Sequence, residues 1–575
     1  MKNKKVYLIV GVLVICFIGI LIYFFAKDKK KDTKLSNQTS DSIDMSIDFS
    51  DKEIDWSNYE SKDYTLTKSI TITTAGVYNL TGTIDDGVVT INTKGNVKLV
   101  LNNVNITNSK GPSIYVKDAD TVVIETSSGS TNYLEDSETY SGYDIDEIGT
   151  IFSHSDISFE GEGTLVVKSN NEDAIVGKDD LKIVSGTYEI NAKDDGICGK
   201  DSVYIKNGKF KITSSGDAIK STNDTDSTKG YVLIENGNFD INSTLDGIQA
   251  ETKLLIKDGT FDIITGSGSV NASTKEEWGH WGSSSSNDIE SAKGIKAGDN
   301  LLIENGTINI DSSDDSIHSN NYVGIKSGTI TLSSGDDGIH ADTELIIDSG
   351  KINIEKSYEG LESSKITINN GEINVTSSDD GINVAGGNDS SAMGRPGANN
   401  FSSNTSNILN INGGTIYVDS DGDGIDVNGS AYINEGNVIV YGPSNGGNGA
   451  LDYDREFVIN GGTLVAGGSS GMAQGASSTS KVYNLLVNFT SNYNKDDEIT
   501  IENSNNKEIL SYKSDKSYST LVVASPKLEN GKSYTIKVNG NKYETFTISS
   551  ITTTIGNGSN NRNMGDMGGG PKGRH

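Results

Sequence analysis

An isoleucine that follows an acidic turn returns through the chain on a nearly fixed beat. "KDDGIC" begins at Lys193, "SGDAIK" at Ser215, "SDDSIH" at Ser313, "SSGDDGIH" at Ser333, "SDDGIN" at Ser378 and "DGDGID" at Asp421. The apolar residue closing each turn is Ile175, Ile197, Ile219, Ile248, Ile295, Ile317, Ile339, Leu361, Ile382, Ile425 and Leu451. Successive gaps are 22, 22, 29, 47, 22, 22, 22, 21, 43 and 26, so a 22-residue unit dominates and the longer gaps are that unit plus inserted loops. Within a unit the text is nearly constant, as in "LLIENGTINIDSSDDSI" from Leu301: two short alternating strands flank Asn-Gly, and a third sits at the acidic turn.

Asn-Gly between strands suits a hairpin. It equally suits one coil of a parallel solenoid, where glycine or asparagine takes a left-handed bend. The beat decides between them, because only a solenoid must return the same three strands every 22 residues. The expected fold is all-β, a right-handed parallel β-helix. Composition agrees: only 34% of the 575 residues are hydrophobic, and 66 glycines stand against five prolines, which suits a thin repetitive core. A net charge of −31 excludes nucleic acid as a partner, since phosphate needs a basic face. Two cysteines, Cys16 and Cys198, cannot make a disulfide framework and are read as buried, inert thiols.

Residues 6–26, "VYLIVGVLVICFIGILIYFFA", carry no charge and are long enough to span a bilayer as a helix. No cleavage site is convincing, so residues 1–26 read as an uncleaved signal-anchor. That expectation places the protein at the cell membrane, single-pass, with the bulk of the chain outside and monomeric. Residues 27–45 read as a linker and 46–165 as strands that start and cap the coil. The β-helix proper is expected at 166–480, a small antiparallel β-sandwich at 481–550, and a disordered Gly-rich tail at 551–575.

Stacking the coils turns spacing into geometry, with equivalent residues about 4.8 Å apart. Two residues before each marker stand Asp173, Asp195, Asp217, Asp246, Lys293, Asp315, Asp337, Glu359, Asp380 and Asp423. One residue earlier come Glu172, Asp194, Asp314, Asp336 and Asp379. Unit charges at that spacing repel by about 3–4 kcal/mol at an effective dielectric near 20. The acids must protonate, turn to water, or hold cations. Paired hard oxygens from adjacent coils suit Ca²⁺, so Asp194, Asp195, Asp217, Asp246, Asp314, Asp315, Asp336, Asp337, Glu359, Asp379, Asp380 and Asp423 are its expected ligands. The simpler alternative is that each acid bonds a backbone amide at its turn, which accounts for single acids better than for doubled ones.

The segments "DDLKIVSGTYEINAKDDGICGKDSVYIKNGKFKI", "GIQAETKLLIKDG", "SAKGIKAGDNLLIENGTI" and "GNGALDYDREFVINGGTLVAGGSSGMAQ", in that order, resemble the bacterial carbohydrate-binding-domain proteins with a right-handed parallel β-helix. The likeness runs over roughly residues 46–550. It implies extracellular binding of polysaccharide, with cellulose and acidic sugars such as polygalacturonate as candidates. It also implies calcium at the DDGI-type turns, here Asp194/Asp195, Asp217, Asp246, Asp314/Asp315, Asp336/Asp337 and Asp379/Asp380. The family is similar in fold to β-helical pectate lyases.

Candidate sugar contacts are Trp278 and Trp281, flat indoles in a Gly/Ser-rich insertion, with Lys293, Lys296, His318 and His340 beside the acidic column. Lys293 is the one base in that column. It serves either as an internal counterion or, in a lyase, as the base that removes a proton beside a metal-bound uronate. Acidic neighbours raise its pKa and favour the counterion, so no catalytic residue is expected. The reading is a membrane-anchored, calcium-bearing polysaccharide-binding protein. The alternatives are a calcium-dependent lyase using Lys293 and a purely structural surface stalk.

Overall fold

A computed structural model describes Met45, Ile47 and residues 53–144, 146–271, 291–385 and 406–556. All of them lie in one compact unit, Met45–His575. Among the described residues the only helical elements are two short 3-10 turns, Trp56–Asn58 and Ser269–Asn271, and no helix there is long and apolar enough to cross a membrane. The expected anchor at 6–26, the linker to residue 44 and residues 557–575 lie outside the described residues, but the start of the expected disordered tail at 551 is ordered, since Thr552–Ile555 forms a strand paired in parallel with Asn484–Val487.

Each unit folds into three strands. In the coil opened by Ile197 these are Ile197–Gly199, Ser202–Ile205 and Lys209–Ser214. Each pairs in parallel with its counterpart one coil on, Ile219–Ser221, Tyr231–Ile234 and Asn238–Ser243. The strands that open the coils, three residues long from Ile151 onward, build a 15-stranded parallel sheet, and the other two strands of each repeat unit belong to a 32-stranded sheet. Every marker residue from Ile175 to Leu451 stands in direct register with the next. The insertions behind the long gaps fall between strands in the sequence, and the register of the flanking strands is untouched.

The region 46–165 joins the same sheets: Ile70, Val89, Ile114 and Ile151 continue the marker column toward the N-terminus. Inward residues of each coil fill a continuous core. Tyr188, Phe210, Phe239 and Phe261 stack ring on ring at 5.0, 4.7 and 4.6 Å, the spacing of the coils themselves. The bends need glycine for a second reason besides φ. Gly328 sits at φ +122°, and a Cβ there would lie 2.9 Å from the Gly306 carbonyl one coil away.

Residues 481–550, read from the sequence as an antiparallel sandwich, contribute to two sheets. Tyr518–Ala524 lies antiparallel on Thr463–Gly468, the edge of the last coil, and Asn484–Tyr493 pairs with it in turn. The strands Glu508–Lys513, Glu498–Asn503, Ser533–Val538 and Asn541–Thr547 form a separate four-stranded antiparallel sheet. Leu485, Ile499, Tyr512 and Ile536 join Val465 of the last coil in a shared core. The open parallel edge, an aggregation hazard if bare, is thereby covered.

Candidate functional site

The acidic turns are stitched to one another through the backbone. Asp195 donates its N–H to Asp173 Oδ1 (3.1 Å), Asp217 to Asp195 Oδ1 (2.7 Å), Asp246 to Asp217 Oδ1 (2.8 Å) and Lys293 to Asp246 Oδ1 (2.7 Å). The same bond joins Asp337 to Asp315 (3.0 Å), Glu359 to Asp337 (3.2 Å), Asp423 to Asp380 (2.6 Å) and Gly449 to Asp423 (2.5 Å). One oxygen of these carboxylates is thus consumed by the amide of the next coil, the simpler alternative of the sequence reading. What meets the second oxygen decides the chemistry.

That partner comes from a second column, the residue directly after each marker: Lys220, Gln249, Lys296, His318, His340, Glu362, Asn383, Asp426 and Asp452 in register. Lys220 Nζ lies 2.8 Å from Asp217 Oδ2 and 3.3 Å from Asp195 Oδ2. Lys296 Nζ donates to Asp246 Oδ2 at 3.0 Å. Asp315 Oδ2 is met by Lys293 Nζ at 2.6 Å and His318 Nδ1 at 2.8 Å, and Lys293 also reaches Asp314 Oδ1 at 3.0 Å. Burial opposes the charge on Asp315, but Lys293 and His318 outweigh it and hold the carboxyl well below its usual range. Burial likewise opposes the Lys293 ammonium, and Asp315 with Asp314 overcomes it, holding the pKa above that of an ordinary lysine.

From Glu359 onward the second column supplies no lysine or histidine. Burial and then the neighbouring Glu362 push Glu359 well above the carboxylate range, and burial with Asp426 does the same to Asp380. Burial, joined by nearby acids, raises Glu362 to about 8, Asp426 to about 7 and Asp423 to about 6. Carboxylate oxygens of Asp380, Asp423 and Asp426 lie within 4.8 Å of one another. Beside them Asn383, 5% exposed, donates Nδ2 to Glu359 Oε2 at 2.6 Å, while its buried Oδ1 has no hydrogen-bond partner. The planar amide turns that oxygen away from Glu359, and Asp426 is the in-register neighbour on the following coil.

Lys293, His318 and His340, at 6%, 6% and 0% exposure, have their side-chain nitrogens engaged inside the column, so the structure assigns them to its charge balance. Lys296 is half-buried and bound to Asp246 and Ser291. Trp278 and Trp281 lie outside the described residues. Cys198 packs near Asp173 and Asp195, and burial raises its thiol pKa, as befits an inert cysteine.

A groove of about 510 Å³ that the repeat pattern does not reveal crosses four adjacent coils on another face. Its floor is formed by Thr121 and Val123, Asp156 and Ser158, Asp180 and Lys182, then Lys206, and Trp56 with Glu53 and Asn96 stands at its side. Lys98 fixes this wall: its Nζ lies 5.3 Å from the centre of the Trp56 ring, 2.6 Å from Glu160 and 2.8 Å from Glu125. A shallower, more open depression of about 360 Å³ runs over Glu189, Lys211, Asp240 and Asp262. The first groove combines an aromatic face with carboxylate, hydroxyl, amide and ammonium groups, the mixture that orients a polyhydroxylated ligand.

The model of the carbohydrate-binding domain-containing protein family matches residues 67–338 and 336–381, together more than half of the chain. A carbohydrate-binding domain-containing protein of Acetivibrio thermocellus is 38% identical over 130 residues, which cover 22% of this chain and 46% of that protein. The chain therefore spans about half the length of this curated relative. A solved polysaccharide lyase-like protein from C. thermocellum, a gadolinium derivative, is 34% identical with a TM-score of 0.34, covering 35% of this chain and 82% of that one. The family match takes in the groove floor and the acidic column as far as Asp380, while Glu53 and Trp56 at the side of the groove, and Asp423 and Asp426, lie outside it. The chain belongs to the carbohydrate-binding domain-containing protein family.

Proposed function

We propose that this protein binds polysaccharide outside the cell, with residues 6–26 as a membrane anchor and a right-handed coil, the hand preferred by parallel crossover connections. The observation that carries the sugar site is the Trp56 groove, where an indole held by Lys98 faces a floor of polar side chains drawn from four coils. Cellulose or an acidic polymer such as polygalacturonate is the ligand class. An unbranched chain fits a groove that runs along the solenoid rather than a closed pocket.

Calcium is the proposed counter-charge of the acid-only coils. Asp380, Asp423 and Asp426 would hold it, and the unpartnered Asn383 Oδ1 fits as a neutral oxygen ligand of the kind Ca²⁺ accepts. Bound there, the ion supplies positive charge that internal lysines and histidines supply elsewhere. Asp194, Asp195, Asp217, Asp246, Asp314, Asp315, Asp336 and Asp337 fall in coils that carry their own cations and are weaker claimants. Lys293, held as an ammonium, gives a lyase reading no base.

The test is a pull-down of the full chain on cellulose and polygalacturonate. Trp56→Ala should weaken binding at least about tenfold, roughly 1.4 kcal/mol, without altering the circular dichroism spectrum. Unchanged binding, together with loss in a Trp278→Ala/Trp281→Ala variant, would move the sugar site to the insertion. Binding of cellulose should persist in chelator.

A further inference from the structure

At the junction between the lysine-bearing coils and the acid-only coils, three side chains converge in a way neither column requires. His340 is fully buried, and its Nδ1 lies 2.7 Å from Glu362 Oε2 and 3.2 Å from Asp337 Oδ2. Its Nε2 lies 3.1 Å from Asp342 Oδ1. The ring stacks on His318 with centroids 4.8 Å apart and planes 21° from parallel. Asp337 and Glu362 are 3% and 8% exposed, so two carboxylates and an imidazole meet in a nearly dry place.

One coil earlier the same design is complete without help. Asp315 Oδ2 is shared by His318 Nδ1 and by Lys293 Nζ, so an internal ammonium fills the point where the donors meet. At Asp337 no lysine arrives, and Glu362 brings a second carboxylate instead. Two ionised carboxylates around one imidazolium would leave a buried negative charge, costly in a low-dielectric setting.

We infer that Asp337 Oδ2, His340 Nδ1 and Glu362 Oε2 form a binding site for a first-row divalent cation of the zinc type, distinct from the calcium coils. Three features support it. The three ligand atoms lie within 4.8 Å of one another, and tetrahedral coordination at about 2.0–2.2 Å needs neighbouring donors roughly 3.3–3.5 Å apart. Room for the ion therefore needs the 2.7 Å contact to open by about 0.6–0.8 Å and the 3.2 Å contact by about 0.1–0.3 Å. Next, carboxylates face both ring nitrogens of His340 and favour its imidazolium in the metal-free chain, so an incoming ion would displace the Nδ1 proton while Asp342 keeps the outer N–H, the carboxylate–histidine–metal arrangement. Finally, one imidazole with two carboxylates is too small and too nitrogen-rich a set for Ca²⁺, which takes six to eight oxygens, and it suits zinc-like ions. Because Glu362 comes from the coil after Asp337 and His340, the ion would clamp the lysine-bearing half of the column to the acid-only half.

The experiment is a Co²⁺ titration of the metal-stripped full chain in saturating Ca²⁺, read by visible absorption. The expected result is one tightly bound equivalent with ligand-field bands that Zn²⁺ abolishes and excess Ca²⁺ does not. Glu362→Gln, which keeps the side-chain shape, should weaken Co²⁺ at least about tenfold, and Asp342→Asn should weaken it about 10- to 100-fold while leaving all three ligands in place. Both variants are to be checked for native circular dichroism. Absence of bands at one equivalent, displacement by Ca²⁺, or unchanged affinity in a folded Glu362→Gln variant would overturn the site and leave His340 as an imidazolium counterion.

Discussion

Lys220 and Asp426 hold the same place in the coil, each directly after its marker isoleucine and each facing the acidic column. Lys220 pairs with Asp217 and Asp195, although burial still raises both carboxyls and lifts Asp217 to about 6, whereas Asp426 adds a carboxylate to Asp423 and Asp380. The backbone is the same in both regions, since parallel register and the amide-to-carboxylate bond persist through them. A solenoid separates the two decisions. Hydrogen bonding to the next coil fixes the acid's first oxygen, and one neighbouring side chain fixes the charge on the second.

The largest effect expected to expose that difference is the pH dependence of stability without metal. Glu362, Asp426 and Asp423 keep raised pKa values of about 8, 7 and 6 in the folded chain. The unfolded chain releases these protons near pH 4, so between about pH 4 and pH 8 the folded state binds more protons and stability falls as pH rises. Moving the calcium-free protein from pH 5 to pH 8 should cost on the order of 5 kcal/mol by denaturant titration. Calcium should reverse the part carried by Asp423 and Asp426, because it needs those carboxylates ionised. A flat or rising metal-free profile would contradict the contrast.

Removing the internal cation from the other region should cost somewhat less. Lys293→Ala leaves Asp315 buried without its ammonium, and a loss of about 3–5 kcal/mol is expected, whether or not calcium is present. Asp426→Asn should act in the opposite sense, raising metal-free stability at pH 8 by about 1–3 kcal/mol and removing the response to calcium. Both are read from denaturant midpoints. The smallest expected effect is none at all: polygalacturonate incubated with the protein and calcium should yield no ultraviolet-absorbing unsaturated product, because Lys293 is held in its protonated form.

The path of the chain was largely legible in the text. The spacing of Ile175 through Leu451 alone sets the register of the short sheet, since each marker must fill the same buried corner. Ile70, Val89, Ile114 and Ile151 escaped because Lys68, Gly87, Pro112 and Gly149, not acids, stand two residues before them and their spacing is irregular. Stacking was legible too, and the acids at the marker's second preceding position do form one column. What the spacing could not give was direction. That Oδ1 faces the next amide, and Oδ2 the residue after the marker, depends on side-chain geometry. Lys220, Lys296, His318, Glu362 and Asp426 nevertheless stand in plain sight once the marker is known. The Trp56 groove left no such trace, because its walls come from distant segments that share no motif.

Hydrogen exchange resolved along the chain, with and without calcium at pH 8, tests the division of the column most directly. If internal lysines and histidines balance one region and calcium the other, adding the ion should slow exchange at the turns between Glu359 and Asp454 and leave those between Asp195 and Ser334 unchanged. Equal slowing in both regions, or slowing confined to the lysine-bearing coils, would contradict it.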